Sequence, residues 1–121
     1  MHRRVCAFVA AVLMAPAVVW ADGGLDFARS KQCLACHQVQ VKRVGPSFEA
    51  IAERYGSSPG AHQYLAQTIR EGSRGKWGAI PMPAQAQVGL ADAQRLATWI
   101  LSMAASADDA EGVAEAAGPA T

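Results

Sequence analysis

The sequence predicts an all-α fold, and three observations predict it. From Leu90 to Ala104, apolar residues recur three and four apart, at Leu90, Ala93, Leu96, Ala97, Ile100, Leu101 and Ala104; this is the period of one helix face. Shorter segments repeat the pattern, with Phe48, Ile51, Ala52 and Tyr55 in one and Leu65 and Ile69 in another. The period-two alternation of a half-buried strand appears nowhere in the chain.

Taken in order, residues 1–21 read as an export signal. His2, Arg3 and Arg4 form a charged start, Val5 to Val19 is apolar except for Pro16, and Val19-Trp20-Ala21 ends on the small residue that a signal peptidase needs. The run is short for a transmembrane helix. Cleavage after Ala21 is expected; the competing reading is a retained N-terminal anchor. Cys6 falls in this segment, so cleavage would leave Cys33 and Cys36 as the cysteines of an exported chain.

Asp26–Gln32 reads as a short helix with Leu25, Phe27 and Ala28 as its apolar content, continued by the turn Cys33 to His37. Gln38 to Pro46 loses its period and is punctuated by Gly45-Pro46. Ser47–Tyr55 is the next helix. Gly56 to Pro59 ends it, and Ser58 as N-cap with Pro59 as first residue opens a third that runs to about Glu71, where Gly72 stops it. Gly72–Gly89 is rich in glycine and proline, and loops of that length in a small domain usually have a function. The last helix follows. After Met103 the chain is Ala, Gly, Ser, Val and acid with a final Pro and Thr, which predicts a disordered tail over 105–121.

The domain is therefore expected over residues 22–104. Its nine bases and six acids give +3, whereas the tail carries four acids and no base, hence −4. No run of Lys or Arg is present, so the composition does not point to nucleic acid. A core of this size is marginal unless something adds buried surface.

Cys33-Leu34-Ala35-Cys36-His37 indicates what that is. It is the signature of covalent haem attachment. Two intervening residues let the thiols reach neighbouring vinyl groups on one porphyrin edge, and the next residue carries an imidazole under the iron. A redox or structural disulfide is the first alternative, but a thioredoxin-type CxxC wants a βαβ context. Half a zinc site is the second, but it wants a further ligand pair and His62 alone is left over. One haem c is thus expected, with the iron held by His37 and also by Met82, which stands between Pro81 and Pro83 in the long loop. Proline on each side holds that backbone extended and aims the thioether. A methionine filling a core gap is the bland reading for Met82, and His62 is its competitor as an iron ligand.

Cys33–His37, Val44-Gly45-Pro46, Gly72–Gly78, Ile80-Pro81-Met82-Pro83 and Leu96–Ser102 resemble, in that order, the small bacterial class I cytochromes c, above all the cytochrome c-551 subgroup. The resemblance covers residues 25–103 and leaves out the acidic tail. It implies three to five short helices wrapped around one haem. It implies thioethers at Cys33 and Cys36, a proximal ligand at His37 and a distal one at Met82. It also implies that Pro46 offers its carbonyl to the outer N–H of His37, that Trp77 donates its indole N–H to a propionate, and that Phe27 and Trp99 sit where the first and last helices cross. One departure stands out: the subgroup often places an Arg facing a propionate where this chain has Thr68.

The expected function is that of a periplasmic single-electron carrier, not an enzyme, which delivers electrons to a terminal reductase or oxidase. It would be a monomer without stable membrane insertion, docking redox partner proteins briefly at the haem edge. Lys31, Lys42, Arg43, Arg74 and Lys76 are candidates for a basic rim there. A fixed electron-entry subunit of a larger complex is the alternative. A gas-binding or catalytic haem protein is a third reading and requires Met82 to be off the iron.

Overall fold

The computed structural model describes the backbone of residues 21–116 and the side-chain surroundings of residues 23–106. The export signal expected over 1–21 lies outside the described residues except for Ala21, as do the last five residues. Among the described residues the regular elements are α1 (Ala21–Ser30), a 3₁₀ turn (Cys33–Ala35), α2 (Phe48–Tyr55), α3 (Ala61–Glu71) and α4 (Leu90–Ala116). There is no strand among them, so the all-α expectation holds.

α1 starts earlier than its apolar pattern suggested, because Gly23-Gly24 is part of the helix. Gly24 is there for closeness: a Cβ at this position would come 2.0 Å from Cδ1 of Trp99. The absence of a side chain lets α1 lie directly on the indole of α4. Phe27 completes the crossing, with the Arg95 guanidinium 3.9 Å above its ring. Gln32 then takes left-handed backbone angles, φ 65°, and ends the helical run just before the cysteines.

α2 begins one residue after its predicted start. Ser47 is its N-cap and its hydroxyl accepts the Ala50 N–H at 3.1 Å. α3 opens at Ala61 after Gly60, whose φ of 75° turns the chain, and no side chain caps it. Ser58 contributes its carbonyl to the Ala61 N–H instead of its hydroxyl. The expected start at Ser58-Pro59 is thus displaced by two residues, because a left-handed glycine between Pro59 and the helix breaks the first turn.

α4 is the spine of the molecule and packs against α2 and α3, with α1 across it. Ala93, Leu96, Ala97, Ile100 and Leu101 are its buried stripe, and Leu96 is 1% exposed. Burial of one such leucine contributes about 2 kcal/mol. Leu90, placed on the stripe by its spacing, is instead exposed at the first position of the helix. The helix also runs on to Ala116, so most of the segment expected to be a disordered tail is helical. Ala104, Ala105, Ala107, Ala110, Ala114 and Ala116 explain it, since alanine has the highest helix propensity. Among the described residues no helix is long and apolar enough to cross a membrane.

Candidate functional site

A cleft of about 1270 Å³ of empty space, part of it open to solvent, lies between the 3₁₀ turn, the inner faces of α2, α3 and α4, and the loop after α3. Its inner walls are apolar, with Ile51, Leu65, Ile69, Leu96 and Ile100. All six residues expected to bind the cofactor line it: Cys33, Cys36, His37, Pro46, Trp77 and Met82.

The 3₁₀ turn brings the first three together. The N–H groups of Cys36 and His37 both donate to the Cys33 carbonyl, at 3.2 and 2.9 Å, which curls the motif into one tight turn. Both cysteine side chains are half-buried. Burial pushes the Cys33 thiol up, the opposite of the lowered pKa that a thiol–disulfide catalyst needs. No group of three or more His, Cys, Asp or Glu that would hold a metal ion occurs among the described residues.

His37 is 8% exposed. Its Nδ1–H donates to the Pro46 carbonyl at 2.7 Å, which fixes the ring and leaves Nε2 as a free lone pair. Two contacts hold the imidazole plane. Phe48 stacks on it with centroids 5.3 Å apart and planes inclined by 26°. Gly45 lies against its edge, where a Cβ would come 2.5 Å from Cε1. Phe48 in turn meets Trp99 edge-on at 5.0 Å. A continuous stack therefore runs from His37 through Phe48 and Trp99 to Gly24 of α1.

Met82 comes from a different segment. Its N–H donates to the Ser73 carbonyl at 2.9 Å, and the Ser73 N–H donates back at 3.0 Å. Gly72 makes room for this pairing: its φ is 79°, and a Cβ would come 2.5 Å from the Met82 carbonyl. The loop is thereby closed at its base, and the thioether is offered to the cleft from a pinned backbone. His62 is exposed on α3 and is not among the cleft residues. Met103 is half-buried against the hydrophobic core and lies outside the cleft.

Tyr55 and Tyr64 of the cleft, and Arg54 beside it, were not singled out as site residues from the sequence. Tyr55 and Tyr64 stand side by side, centroids 5.1 Å apart, and form one wall; burial and the hydrogen bond to Tyr64 push the Tyr55 phenol up. Arg54 reaches across to the Lys76 carbonyl at 2.6 Å and covers the Trp77 ring at 4.5 Å. Thr68 lines the cleft at the place where the subgroup often has an arginine. The expected basic rim is thinner than its residue count. Lys31 is paired with Asp92 at 2.7 Å, while Lys42, Arg43, Arg74 and Lys76 are exposed, beside the exposed apolar residues Val44 and Ile80.

The donor set fits a covalently held iron porphyrin. It combines two thiols on one turn, an imidazole whose outer nitrogen is committed and inner nitrogen is free, a thioether on a rigid loop, and apolar walls between them.

Comparison with known proteins agrees. The family model described as Cytochrome c matches residues 21–104. Cytochrome c-552 of Nitrosomonas europaea is 45% identical over 96 residues, 79% of this chain and 91% of that relative. Cytochrome c-551 of Pseudomonas aeruginosa is 43% identical over 83 residues, 69% of this chain and 79% of the relative. The crystal structure of wild-type Nitrosomonas europaea cytochrome c552 superposes with a TM-score of 0.64 and 48% identity, over 65% of this chain and 98% of that one.

Proposed function

The chain belongs to the cytochrome c family, in its c-551 type, and from that premise we propose that it is a periplasmic single-electron carrier with His37 and Met82 as the axial ligands of its iron. As a member it carries one covalently bound haem c, acts with redox partners and is not an enzyme. Cys33 and Cys36 fit the attachment motif, and we assign the two thioethers to them.

When bound, the haem supplies an iron that changes its charge by one electron. The chain does the rest. His37 presents Nε2, and the Pro46 carbonyl holds its outer N–H and makes the ligating nitrogen more basic. Met82 would supply the second ligand to the iron; a thioether favours the ferrous state and so would raise the potential. The apolar walls act in the same direction by penalising the more charged state. Trp77, which lines the cleft, would donate its indole N–H to a propionate. Hydrogen bonds fix the segments that would present the two ligands: the His37 N–H donates to the Cys33 carbonyl and its ring to the Pro46 carbonyl, and Met82 is paired with Ser73.

The observation that carries this reading is the buried imidazole with Nδ1 committed and Nε2 free in the same cleft as a backbone-pinned thioether. Export is supported by the pattern of residues 1–21. Docking at the cleft rim is supported by Val44 and Ile80 beside Lys42, Arg43 and Lys76: a small apolar contact with basic flanks makes brief, salt-sensitive encounters with acidic partners. The proposed acceptor is a terminal reductase or oxidase.

The test is the visible spectrum of the reduced holoprotein with and without carbon monoxide. A low-spin c-type spectrum indifferent to carbon monoxide is expected, and Met82→Ala is expected to make it responsive. A wild-type spectrum that shifts with carbon monoxide would remove Met82 from the iron and turn the reading toward ligand binding.

A further inference from the structure

The loop from Ser73 to Met82 forms one wall of the cleft and ends on the thioether. Its base is fixed by the reciprocal hydrogen bonds between Ser73 and Met82. Its tip is nearly bare. Arg74, Gly75, Lys76, Gly78, Ala79, Ile80 and Pro81 are all exposed. Among the described residues a single hydrogen bond reaches positions 74–81, from Arg54 Nη1 to the Lys76 carbonyl at 2.6 Å. The same guanidinium lies 4.5 Å above the Trp77 ring and 5.4 Å above that of Tyr55. Arg54 has no carboxylate partner among the described residues. One side chain at the end of α2 thus holds the tip by a charged hydrogen bond and a stacking contact at once.

We propose that Arg54 is a positioning residue, a latch that holds the 73–82 loop closed over the cleft and thereby keeps Met82 on the iron. The second half of this statement rests on the His37/Met82 reading above; the first half does not. The tip has no apolar anchor besides Trp77, so opening it requires Trp77 to leave the cleft edge. Arg54 covers the outer side of that indole and ties the carbonyl next to it. Arginine is suited to both contacts because its guanidinium is planar and forked. A lysine ammonium is a compact point charge and cannot donate to the carbonyl and cover the ring together.

The experiment uses the holoprotein and two variants, Arg54→Met and Arg54→Lys. Arg54→Met keeps length and apolar contact but removes the donor and the charge. Exchange of the Ser73 and Met82 amides, which the loop closure protects, is expected to accelerate about tenfold in Arg54→Met, from loss of a charged hydrogen bond and a cation–π contact at a partly exposed site. The amides of Leu96 and Ile100 in α4 are expected to keep their wild-type protection. Exogenous imidazole, added to the ferric protein as a competitor for the methionine position, is expected to bind about tenfold more tightly to the variant. Arg54→Lys is expected to behave like Arg54→Met. Wild-type exchange at Ser73 and Met82 in Arg54→Met would overturn the latch, as would wild-type behaviour of the lysine variant or an acceleration shared by Leu96 and Ile100. The two readings are distinguishable. Loss of the methionine–iron charge-transfer band in the wild-type ferric protein would overturn the axial assignment and the second half of the proposal, while amide exchange still decides the first.

Discussion

Gly45→Ala isolates the contact that fixes the imidazole. Gly45 does not have a left-handed backbone, so an alanine is conformationally allowed there and the effect is steric. The new methyl would come 2.5 Å from His37 Cε1 and 2.9 Å from Nδ1, well inside contact distance. His37 cannot retreat freely, because Phe48 stacks on it and Nδ1 is held by the Pro46 carbonyl at 2.7 Å. Overpacking of this kind costs about 1–3 kcal/mol, and a stretched hydrogen bond adds about 0.5–1.5 kcal/mol. The expected loss is therefore roughly 2–4 kcal/mol, seen as a lower denaturant midpoint at unchanged slope. A second readout separates site from scaffold: weakening the Nδ1–Pro46 bond makes Nε2 a poorer donor, so the reduction potential should rise. Gly23→Ala is the control. Gly23 is in α1 with nothing within 4 Å of an added Cβ, and alanine there should stabilise by up to about 1 kcal/mol. A Gly45→Ala protein within about 0.5 kcal/mol of wild type and with an unchanged potential would refute the idea that Gly45 sets the ring position.

Two further outcomes follow from the cleft walls. The Tyr55 phenol is raised above its ordinary value of 10.0 by burial and by Tyr64; a raised acid binds its proton more tightly when folded, so this contribution to stability is complete below about pH 10 and is lost as pH rises through the folded value. Tyr55→Phe should flatten that alkaline fall in a urea titration series, and an unchanged slope between wild type and variant would refute it. Thr68→Arg puts a cation on the cleft wall, an effect on the order of 1 kcal/mol at partly buried range. It should raise the potential by tens of millivolts, at about 59 mV per tenfold change of a one-electron equilibrium, and a lowered potential would contradict it.

The parts of the site that were legible in the sequence are those where chemistry fixes spacing. Cys33, Cys36 and His37 must be adjacent to act on one porphyrin edge, and a methionine flanked by two prolines is an unusual loop. The stripe from Ala93 to Leu101 was legible as a core face, because it depends on near neighbours. Boundaries failed where two local signals compete. Ser58-Pro59 proposes a helix start, but the left-handed Gly60 after it sets the start at Ala61. The start of α1 at Ala21, ahead of the expected Asp26, includes Gly24, whose contact with Trp99 lies far along the chain. Beyond Ala104, alanine propensity and acidic charge oppose each other, and the helix continues. Arg54, Tyr55 and Tyr64 were not legible as site residues, since their partners lie far along the chain and leave no periodic trace.

The stack from His37 through Phe48 and Trp99 to Gly24 has a consequence for how such a sequence can vary. Gly24 and Trp99 share one volume: a larger residue at 24 would displace the indole, the indole would press on Phe48, and Phe48 on the imidazole. The two positions are therefore not free to change independently. A side chain gained at 24 is tolerated only together with a smaller ring at 99, so this pair should covary across related chains even though neither residue touches the cleft.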